Sequence, residues 1–313
     1  MSRLVDRASR QLVPDTAEFS GFGALRPSEK RWRDRYFFLQ QHGYTLRPRY
    51  HPDWKPSWLG TSIDADSSED FIASLEGEVL DAVRTKDNFR VSIKVISNAS
   101  DESRIACLLS SKKLLSDPNN HCVPIFDVLP DPLGAENSLL VMMYLRPYDD
   151  PEFEVIEEVI DFVKQTLERP VKYYFIDWGL SSYFREGESP YVLGTKCADH
   201  NAPELSNVHP YNAFMLDVFI LGHMYEDDLL KVYHGLDFLE PLITFMTLSQ
   251  PERRPTAEAA LRMFYDIRRG LSRTTLPWRL RKREESGTER VVYDTLSAAK
   301  AGLKLVRRGL IGA

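Results

Sequence analysis

The alternation of apolar and polar residues predicts a β-hairpin in the first half of the chain. In Phe89–Ile96, Val91, Ile93 and Val95 alternate with Ser92, Lys94 and Ile96. The apolar run Val79–Val83 precedes it, and Lys86-Asp87-Asn88 between them is typical of a turn. Successive side chains of a strand point to opposite faces of the sheet. Lys94 is therefore expected on the face opposite Ile93.

One helix and two further strands are predicted after the hairpin. Asp101 is able to cap the helix. The apolar positions on one side of this helix are Ile105, Leu108 and Leu109. The apolar runs Cys122–Val128 and Leu139–Leu145 predict the two strands, so the order is strand, strand, helix, strand, strand.

An aromatic and proline-rich segment, residues 28–60, precedes the hairpin. It predicts a short helix ending at Gly43, followed by an extended stretch, because prolines disfavour helical backbone. Three tryptophans are expected to pin this stretch to the main domain, and a separate peptide-binding module is the alternative. They are Trp32, Trp54 and Trp58. The polar residues 61–70 are typical of a linker or surface loop.

Helical spacing recurs in the second half of the chain. Asp161 is predicted to begin a helix that runs to Leu167. Near residue 300, apolar positions recur opposite basic ones: Val292, Leu296, Ala299, Leu303 and Val306 against Lys300, Lys304, Arg307 and Arg308. Such a helix packs against the domain or contacts an anionic membrane surface through residues 291–308.

Charge is distributed unevenly along the chain. Residues 1–50 hold ten Lys and Arg against five acids, and residues 279–313 hold nine against four. Because the net charge is −6, the middle of the chain carries about −16. The basic residues are interleaved with acids, so we expect solvated surface and no nucleic-acid partner.

Cysteine content and hydropathy predict a protein that is not secreted. The three cysteines, Cys107, Cys122 and Cys197, are an odd number without C-x-x-C spacing, which favours reduced thiols. The first fifteen residues contain no apolar core of a secretory signal. No apolar run has the length of a membrane span. We therefore expect a cytoplasmic or nuclear location and no transmembrane segment.

Two short motifs carry candidate chemistry. Val91-Ser92-Ile93-Lys94 ends in a strand lysine, and Glu102 follows it in the first turn of the predicted helix. Ile176-Asp177-Trp178-Gly179 delivers an aspartate from an apolar strand into a Trp-Gly turn. Each motif alone is more typical of an ordinary strand end, and both gain significance only from the motifs nearer the C-terminus.

Three more motifs occur there in a fixed order. Ala202-Pro203-Glu204 lies 25 residues past Asp177, Asp217 and Gly222 share a predicted helix, and Arg254-Pro255-Thr256 comes last. Together the five motifs resemble those of a eukaryotic protein kinase domain, in order and in spacing. Among proteins with that domain, the chain resembles the fungal, chiefly basidiomycete, group.

The resemblance covers residues 28–270 and implies an α+β, two-lobed fold. It divides the chain into an N-terminal extension (1–74), a β-rich small lobe (75–147), an incomplete helical large lobe (148–270) and a basic tail (271–313). Its cofactors would be ATP and Mg²⁺.

The resemblance also implies roles for individual residues. Lys94 would hold the ATP phosphates and pair with Glu102, and Asp177 would hold Mg²⁺. Met143 and Leu145 would lie at the hinge beside the nucleotide. The structural residues would be Gly179, Glu204, Asp217 and Arg254, with Arg254 pairing with Glu204.

One motif of the resemblance is missing. Between Leu145 and Asp177 there is no histidine and no asparagine, so the H-R-D-x-x-x-x-N catalytic loop is absent. The aspartates in this interval are Asp149, Asp150 and Asp161. Without that loop no residue is identified as the catalytic base. The helix that begins at Asp161 is expected to pass through Glu168 and Arg169 directly into a strand from Lys172.

Two consequences are expected from the departures in this sequence. Gly77 stands between two glutamates where the resemblance implies a glycine-rich phosphate loop, so ATP binding should be weak or absent. Loss of the catalytic-loop segment should expose Phe175, Phe214 and Phe219 to solvent.

The sequence supports two functional hypotheses. One is a catalytically inactive kinase-like protein that acts as a scaffold or regulator by binding an unidentified protein partner. The alternative is a genuine serine/threonine kinase whose deduced sequence has lost a segment between Glu168 and Arg169.

Overall fold

A computed structural model gives the fold of the chain. It describes residues 24–58, 61, 67–68, 70, 77–117, 120–167, 175–185, 187–197, 199–272 and 274–311, with backbone alone from residue 300 onward. The chain divides into two compact units, residues 1–147 with 174–183 and residues 148–173 with 184–313. The expected α+β fold is confirmed at this level, since one unit is built on a five-stranded sheet and the other is mainly helical.

Helices and strands of the first unit follow in the order α1, α2, β1, β2, β3, α3, α4, β4, β5. Their bounds are Pro27–Asp34, Tyr36–Gln41, Tyr44–Thr45, Val79–Arg84, Phe89–Ser97, Glu102–Leu109, Lys112–Leu115, Ile125–Pro130 and Asn137–Met143. Those of the second unit follow in the order α5, β6, β7, α6, β8, α7, α8, β9, α9. Their bounds are Ile156–Leu167, Tyr191–Gly194, Ser206–Asn212, Ala213–Tyr225, Tyr233–His234, Glu240–Met246, Ala257–Gly270, Arg281–Lys282 and Gly287–Ile311.

The five-stranded sheet is antiparallel, with strand order β1-β2-β3-β5-β4. The predicted hairpin is confirmed as β2 and β3, and Asn88 in its turn has a positive φ of 56°. In the register of this sheet Lys94 lies between Val79 on β2 and Leu140 on β5. The two edge strands are limited, because β1 has two residues and β4 ends at Pro130.

The N-terminal helices pack on one face of this sheet. Trp32 and Leu39 are fully buried in a cluster with sheet residues that include Val91 and Ile93. Gly43, where the helix was predicted to end, has a φ of +85° just after α2. Packing of Trp32 in this cluster favours the pinned extension over a separate module. The predicted linker 61–70 lies mostly outside the described residues.

Two buried ion pairs hold the N-terminal segment. One links it to the loop after β4, and the other joins two residues within the segment. Arg35 donates to both carboxylate oxygens of Asp131, at 2.8 and 2.5 Å, and both side chains are almost fully buried. Arg49 donates to Glu29 at 2.7 Å. Burial alone would raise the pKa of Asp131, but the bonds from Arg35 and from the Leu133 N–H outweigh it and lower the pKa.

The lowered pKa of Asp131 predicts a pH-dependent stability. Asp131→Asn is expected to destabilise the protein by about 1–3 kcal/mol at pH 7, because Arg35 then faces a neutral amide. Ionised Asp131 stabilises the fold above the ordinary aspartate pKa near 4, and this stabilisation is lost as pH falls through the lowered folded pKa. Urea denaturation at several pH values should show the two proteins converging in acid.

The control for this prediction is Asp34→Asn. Asp34 pairs with Arg33 in an exposed position, where an ion pair contributes about 0–1 kcal/mol. A difference between Asp131→Asn and the parent that stays constant from pH 7 into acid would contradict the linkage.

Helix α3 differs from its predicted amphipathic face. Ile105 is buried as expected, but Leu108 is 42% exposed and Ala106 is buried in its place. Asp101 makes no side-chain capping bond. The helix has eight residues, so a small rotation decides which of its apolar positions meet the sheet.

The second unit has a helical core. α5 and α6 supply Val159, Val163 and Tyr225, which are fully buried together with residues of α7 and α8 that include Met246 and Phe264. α5 begins at Ile156, five residues before the predicted start at Asp161. Ile156 and Val159 are buried, so tertiary packing extends the helix toward its N-terminus.

A second, smaller cluster lies under the β6–β7 hairpin, and it corrects one prediction. Phe219 was expected to be exposed but is 7% exposed, because it packs with Tyr211 and Leu216 and lies 4.6 Å from the Arg254 guanidinium. Phe175 in the first unit and Phe214 in the second are exposed as predicted.

The helix predicted over residues 292–306 is confirmed and is longer, as α9. The helices that the structure describes include none with both the length and the hydropathy of a membrane span.

Candidate functional site

The best-defined polar cluster of the first unit centres on Lys94. Its Nζ donates to Glu102 Oε1 at 2.7 Å and to Asp177 Oδ1 at 2.8 Å. β3 presents the lysine, the first turn of α3 presents the glutamate, and the turn at 177–180 presents the aspartate. The pair expected between Lys94 and Glu102 is therefore present, and its eight-residue spacing is compatible with direct contact.

Asp177 occupies a specialised backbone position. Its φ of 65° and ψ of 74° place it in the left-handed region, which is uncommon for a residue other than glycine. Its Oδ1 also accepts from the Gly179 N–H at 3.3 Å. A Cβ at position 179 would lie 3.2 Å from both Asp177 and Glu102 oxygens. A side chain at position 179 would crowd both carboxylates, so the packing favours glycine at this position.

The cluster is anionic and partly open to solvent. It combines one ammonium with two carboxylates, for a net charge of −1. Burial acts to lower the pKa of Lys94, but the hydrogen bonds to Asp177 and Glu102 outweigh it, so the pKa is raised and the lysine stays charged. Glu102 is buried, whereas the Asp177 side chain is 57% exposed. A ligand from solvent can therefore reach Asp177 first.

Apolar residues border this cluster. Met143 and Leu145 pack at the edge of a small core that contains Leu140 and Met142, and Trp178 packs against the same core. The sequence proposed Met143 and Leu145 for this region on resemblance alone. The sequence analysis did not identify Trp178 as a core residue. The signal that could have indicated this role is an aromatic side chain between an aspartate and a glycine.

Gly77, the glycine that stands where the resemblance implies a phosphate loop, is held by Trp32 two residues before Val79, the residue of β2 that pairs with Lys94. Its carbonyl accepts from the Trp32 indole N–H at 3.1 Å, and a Cβ there would lie 3.1 Å from Ser28. It is the next-to-last residue of the connection 46–78 between β1 and β2. The next residue, Glu78, accepts from the Val95 N–H at 2.9 Å.

The second unit contains the buried pair expected between Glu204 and Arg254. Arg254 donates through Nη1 and Nη2 to the two carboxylate oxygens, at 2.5 and 2.9 Å. It also donates to the Leu248 carbonyl at 2.7 Å and the Met215 carbonyl at 3.0 Å. This bidentate pair ties the segment before β7 to the loop before α8.

Asp217, expected to be structural, has a different position from Glu204 and Arg254. It lies on α6, and among the described residues no group donates a hydrogen bond to its carboxylate. The residue is exposed to solvent, and the protein around it raises the pKa of the carboxyl to about 6 by partial desolvation.

The structure adds one polar contact that the sequence did not identify. His223 Nδ1 on α6 lies 2.5 Å from Asp199 Oδ2, and Asp199 also accepts from the N–H of Asn201 at 2.9 Å. Burial would raise the pKa of Asp199, and the bonds from Asn201 and His223 outweigh it and lower the pKa. No spacing in the sequence relates residues 199 and 223, so only the fold brings them together.

No protein-family model and no curated protein matches the chain. A functional assignment therefore rests on the residues described above.

Proposed function

We propose that this chain is a protein-kinase-like protein that binds a nucleotide weakly, transfers no phosphate, and acts by binding a protein partner. The observation that carries the proposal is Lys94 shared between Glu102 and Asp177. A strand lysine held by a glutamate of the following helix and facing an Asp-Trp-Gly aspartate is the arrangement that positions ATP phosphates in protein kinases.

Two further observations support the kinase-like fold. The order β2, β3, α3, β4, β5 is the strand and helix order expected of the small lobe, with the short helix α4 added between α3 and β4. In the second unit, the buried Glu204–Arg254 pair joins the Ala-Pro-Glu motif to the Arg-Pro-Thr motif, as the resemblance implies.

The residues present fit ATP with Mg²⁺, but only in part. Lys94 offers a charge to phosphate oxygens, and the exposed Asp177 offers an oxygen donor of the kind that Mg²⁺ prefers. The described residues contain no group of three or more metal-ligating side chains, so the ion would depend on nucleotide oxygens for most of its ligands. When bound, Mg²⁺ neutralises phosphate charge. Gly77, held by Trp32, does not strengthen the site.

Phosphate transfer is not expected, because the residue that orients the acceptor hydroxyl is missing. In protein kinases an Asp of the catalytic loop accepts the proton of that hydroxyl. Of the aspartates between Leu145 and Asp177, Asp161 accepts from its own helix neighbour Gln165 at 2.6 Å. The junction at Glu168 and Arg169 and the start of the strand expected from Lys172 lie outside the described residues. Phe175, within that expected strand, forms an isolated parallel bridge with Cys122.

An assay of phosphate transfer tests the proposal. The purified chain, given ATP, Mg²⁺ and a general serine/threonine substrate, is expected to incorporate no phosphate above a heat-inactivated control. Turnover that disappears in Asp177→Ala would show that the chain is an enzyme and would falsify the inactive assignment.

A thermal-shift titration tests nucleotide binding separately. ATP with Mg²⁺ is expected to raise the melting temperature by about 1–3 °C, because a weak ligand near its dissociation constant adds little stability. Lys94→Ala should abolish the shift. The matched control is Lys86→Ala in the exposed turn of the same hairpin, which should retain it. Equal shifts in both variants would place the nucleotide elsewhere.

A genuine serine/threonine kinase with a segment missing from the deduced sequence is the second candidate. It is favoured by the exposed side chains of Phe175 and Phe214. Sequencing the transcript across the codons for Glu168 and Arg169 decides between the two. An in-frame insertion encoding His-Arg-Asp would establish the enzyme.

The partner and location belong to the same proposal. We expect a protein partner, no nucleic acid, and a cytoplasmic or nuclear location. Contact of residues 291–308 with an anionic membrane surface stays a prediction, tested by co-sedimentation with phosphatidylserine vesicles.

A further inference from the structure

Helix α9 carries an apolar stripe that faces solvent over its first turns. Val292 and Leu296 are 56% and 53% exposed, and their neighbour Tyr293 is 49% exposed. The stripe comprises Val292, Leu296, Ala299, Leu303, Val306 and Leu310. For Leu303, Val306 and Leu310 the structure gives only the position on the helix backbone.

The spacing of the stripe is that of a coiled-coil seam. Its members are separated alternately by four and three residues, so that the pattern repeats every seven residues. At 100° per residue, all six positions fall within an arc of about 80°. A helix that packs on its own domain usually has a stripe wider than 100°, whereas an a/d seam is narrower.

The start of α9 is fixed to the second unit by polar contacts. Arg279 donates to Asp294 at 2.8 Å and to Glu285 at 2.7 Å. Ser286 and Glu289 cap the first turn reciprocally, with the Ser286 N–H donating to Glu289 at 2.9 Å. The exposed stripe is therefore presented from an anchored helix.

A helix of this composition needs a covering surface. Gly302 and Gly309 lie in its second half, and glycine disfavours a helix interior. Most helical stability in proteins comes from packing of an apolar face. The exposure of Val292 and Leu296 means that the second unit does not supply that packing.

We propose that α9 pairs with α9 of a second copy of this chain, as a parallel two-stranded coiled coil. With Leu303 at an a position, Lys300 and Arg307 occupy e positions, and Gly302 and Gly309 occupy g positions. In a parallel pair g faces e of the partner helix, so no like charges meet. In an antiparallel pair e faces e, and the basic residues would repel.

The same charges limit the number of strands and disfavour the other occupant. Leucine at a with β-branched valine at d tends toward three or four strands. Such coils bury the e positions, where Lys300 and Arg307 would lose hydration, so these charges favour two strands. A membrane-surface helix needs a broad apolar face with bulky residues. This stripe is narrow and includes Ala299.

Sedimentation equilibrium of the full chain across a concentration series tests the proposal. The mass is expected to rise from 36.1 kDa toward twice that value. Leu303→Glu should raise the dissociation constant by at least about tenfold, because it places a charge in the seam. The matched control, Leu305→Glu, makes the same substitution on the far side of the helix and should leave the constant unchanged.

Orientation is tested by cross-linking. In a Cys107→Ser background, which removes an exposed thiol, Leu303→Cys should form a disulfide with its own counterpart under mild oxidation, and Leu305→Cys should not. Three outcomes overturn the proposal: a single-copy mass at every concentration, equal effects of the two glutamate variants, or monomers that bind phosphatidylserine vesicles through Leu303. Absence of the Leu303→Cys cross-link in a dimer would overturn the parallel orientation.

Discussion

Arg254→Ala is expected to destabilise the protein by about 3–5 kcal/mol, the range for breaking a buried ion pair by removal of one partner. Arg254 is fully buried and holds both oxygens of Glu204, which has 7% side-chain exposure. The variant leaves that carboxylate desolvated without its cation. Two backbone carbonyls lose their donor as well. Urea denaturation monitored by fluorescence gives the free energy of unfolding.

A matched control separates the buried pair from arginine loss in general. Arg262 forms an ion pair with Glu258 on the surface of α8, where both side chains are largely exposed. Arg262→Ala should change the free energy of unfolding by less than about 0.5 kcal/mol. If the two variants lost equal stability, the Glu204–Arg254 pair would not hold this unit together.

Trp32→Ala is expected to have an effect of similar size, about 3–5 kcal/mol, because it opens a cavity in the core of the first unit. Trp32 is fully buried among sheet residues and donates its indole N–H to the Gly77 carbonyl. The sheet and the N-terminal helices should therefore unfold together. Hydrogen exchange of β2 and β3 amides would report this loss directly.

Trp278→Ala is the control for this prediction. Trp278 is 62% exposed in the second unit, so its truncation should cost little. Unchanged protection of β2 and β3 in Trp32→Ala would mean that residues 28–60 form an independent module, the alternative that the sequence left open.

Local pattern predicted the sheet well because its determinants are local. The hairpin of β2 and β3 follows from an apolar run and a strand with period-two alternation on either side of a turn, and both strands were placed to within a residue. β5 is two residues earlier than predicted and β4 begins three residues later, at Ile125. Apolar runs without alternation fix the presence of a strand but not its ends.

Tertiary packing decided what pattern could not. Phe219 was expected to be exposed, but Arg254 and the β6–β7 hairpin cover it. The N-terminal extension of α5 depends on burial of Ile156 against the helical core. Such contacts join residues far apart in the chain, and no single-sequence period encodes them.

The residues of the candidate site could be predicted from the sequence, but their geometry could not. The order of the motifs identified Lys94, Glu102 and Asp177 as candidates. In the structure Lys94 lies within hydrogen-bonding distance of both carboxylates. The left-handed backbone at Asp177 and the sharing of one ammonium by two carboxylates required coordinates. The thermal-shift titration with Lys94→Ala tests whether nucleotide binds there.

The limited edges of the five-stranded sheet have a consequence for aggregation. β1 offers only two residues of unpaired main chain, and β4 carries Asp127 and ends at Pro130, which has no N–H to donate. Long, flat edges are the usual templates for fibril growth, and short or proline-ended ones resist it. Concentrated solutions of this protein should therefore stay free of amyloid, and dye-binding assays for cross-β structure should remain negative.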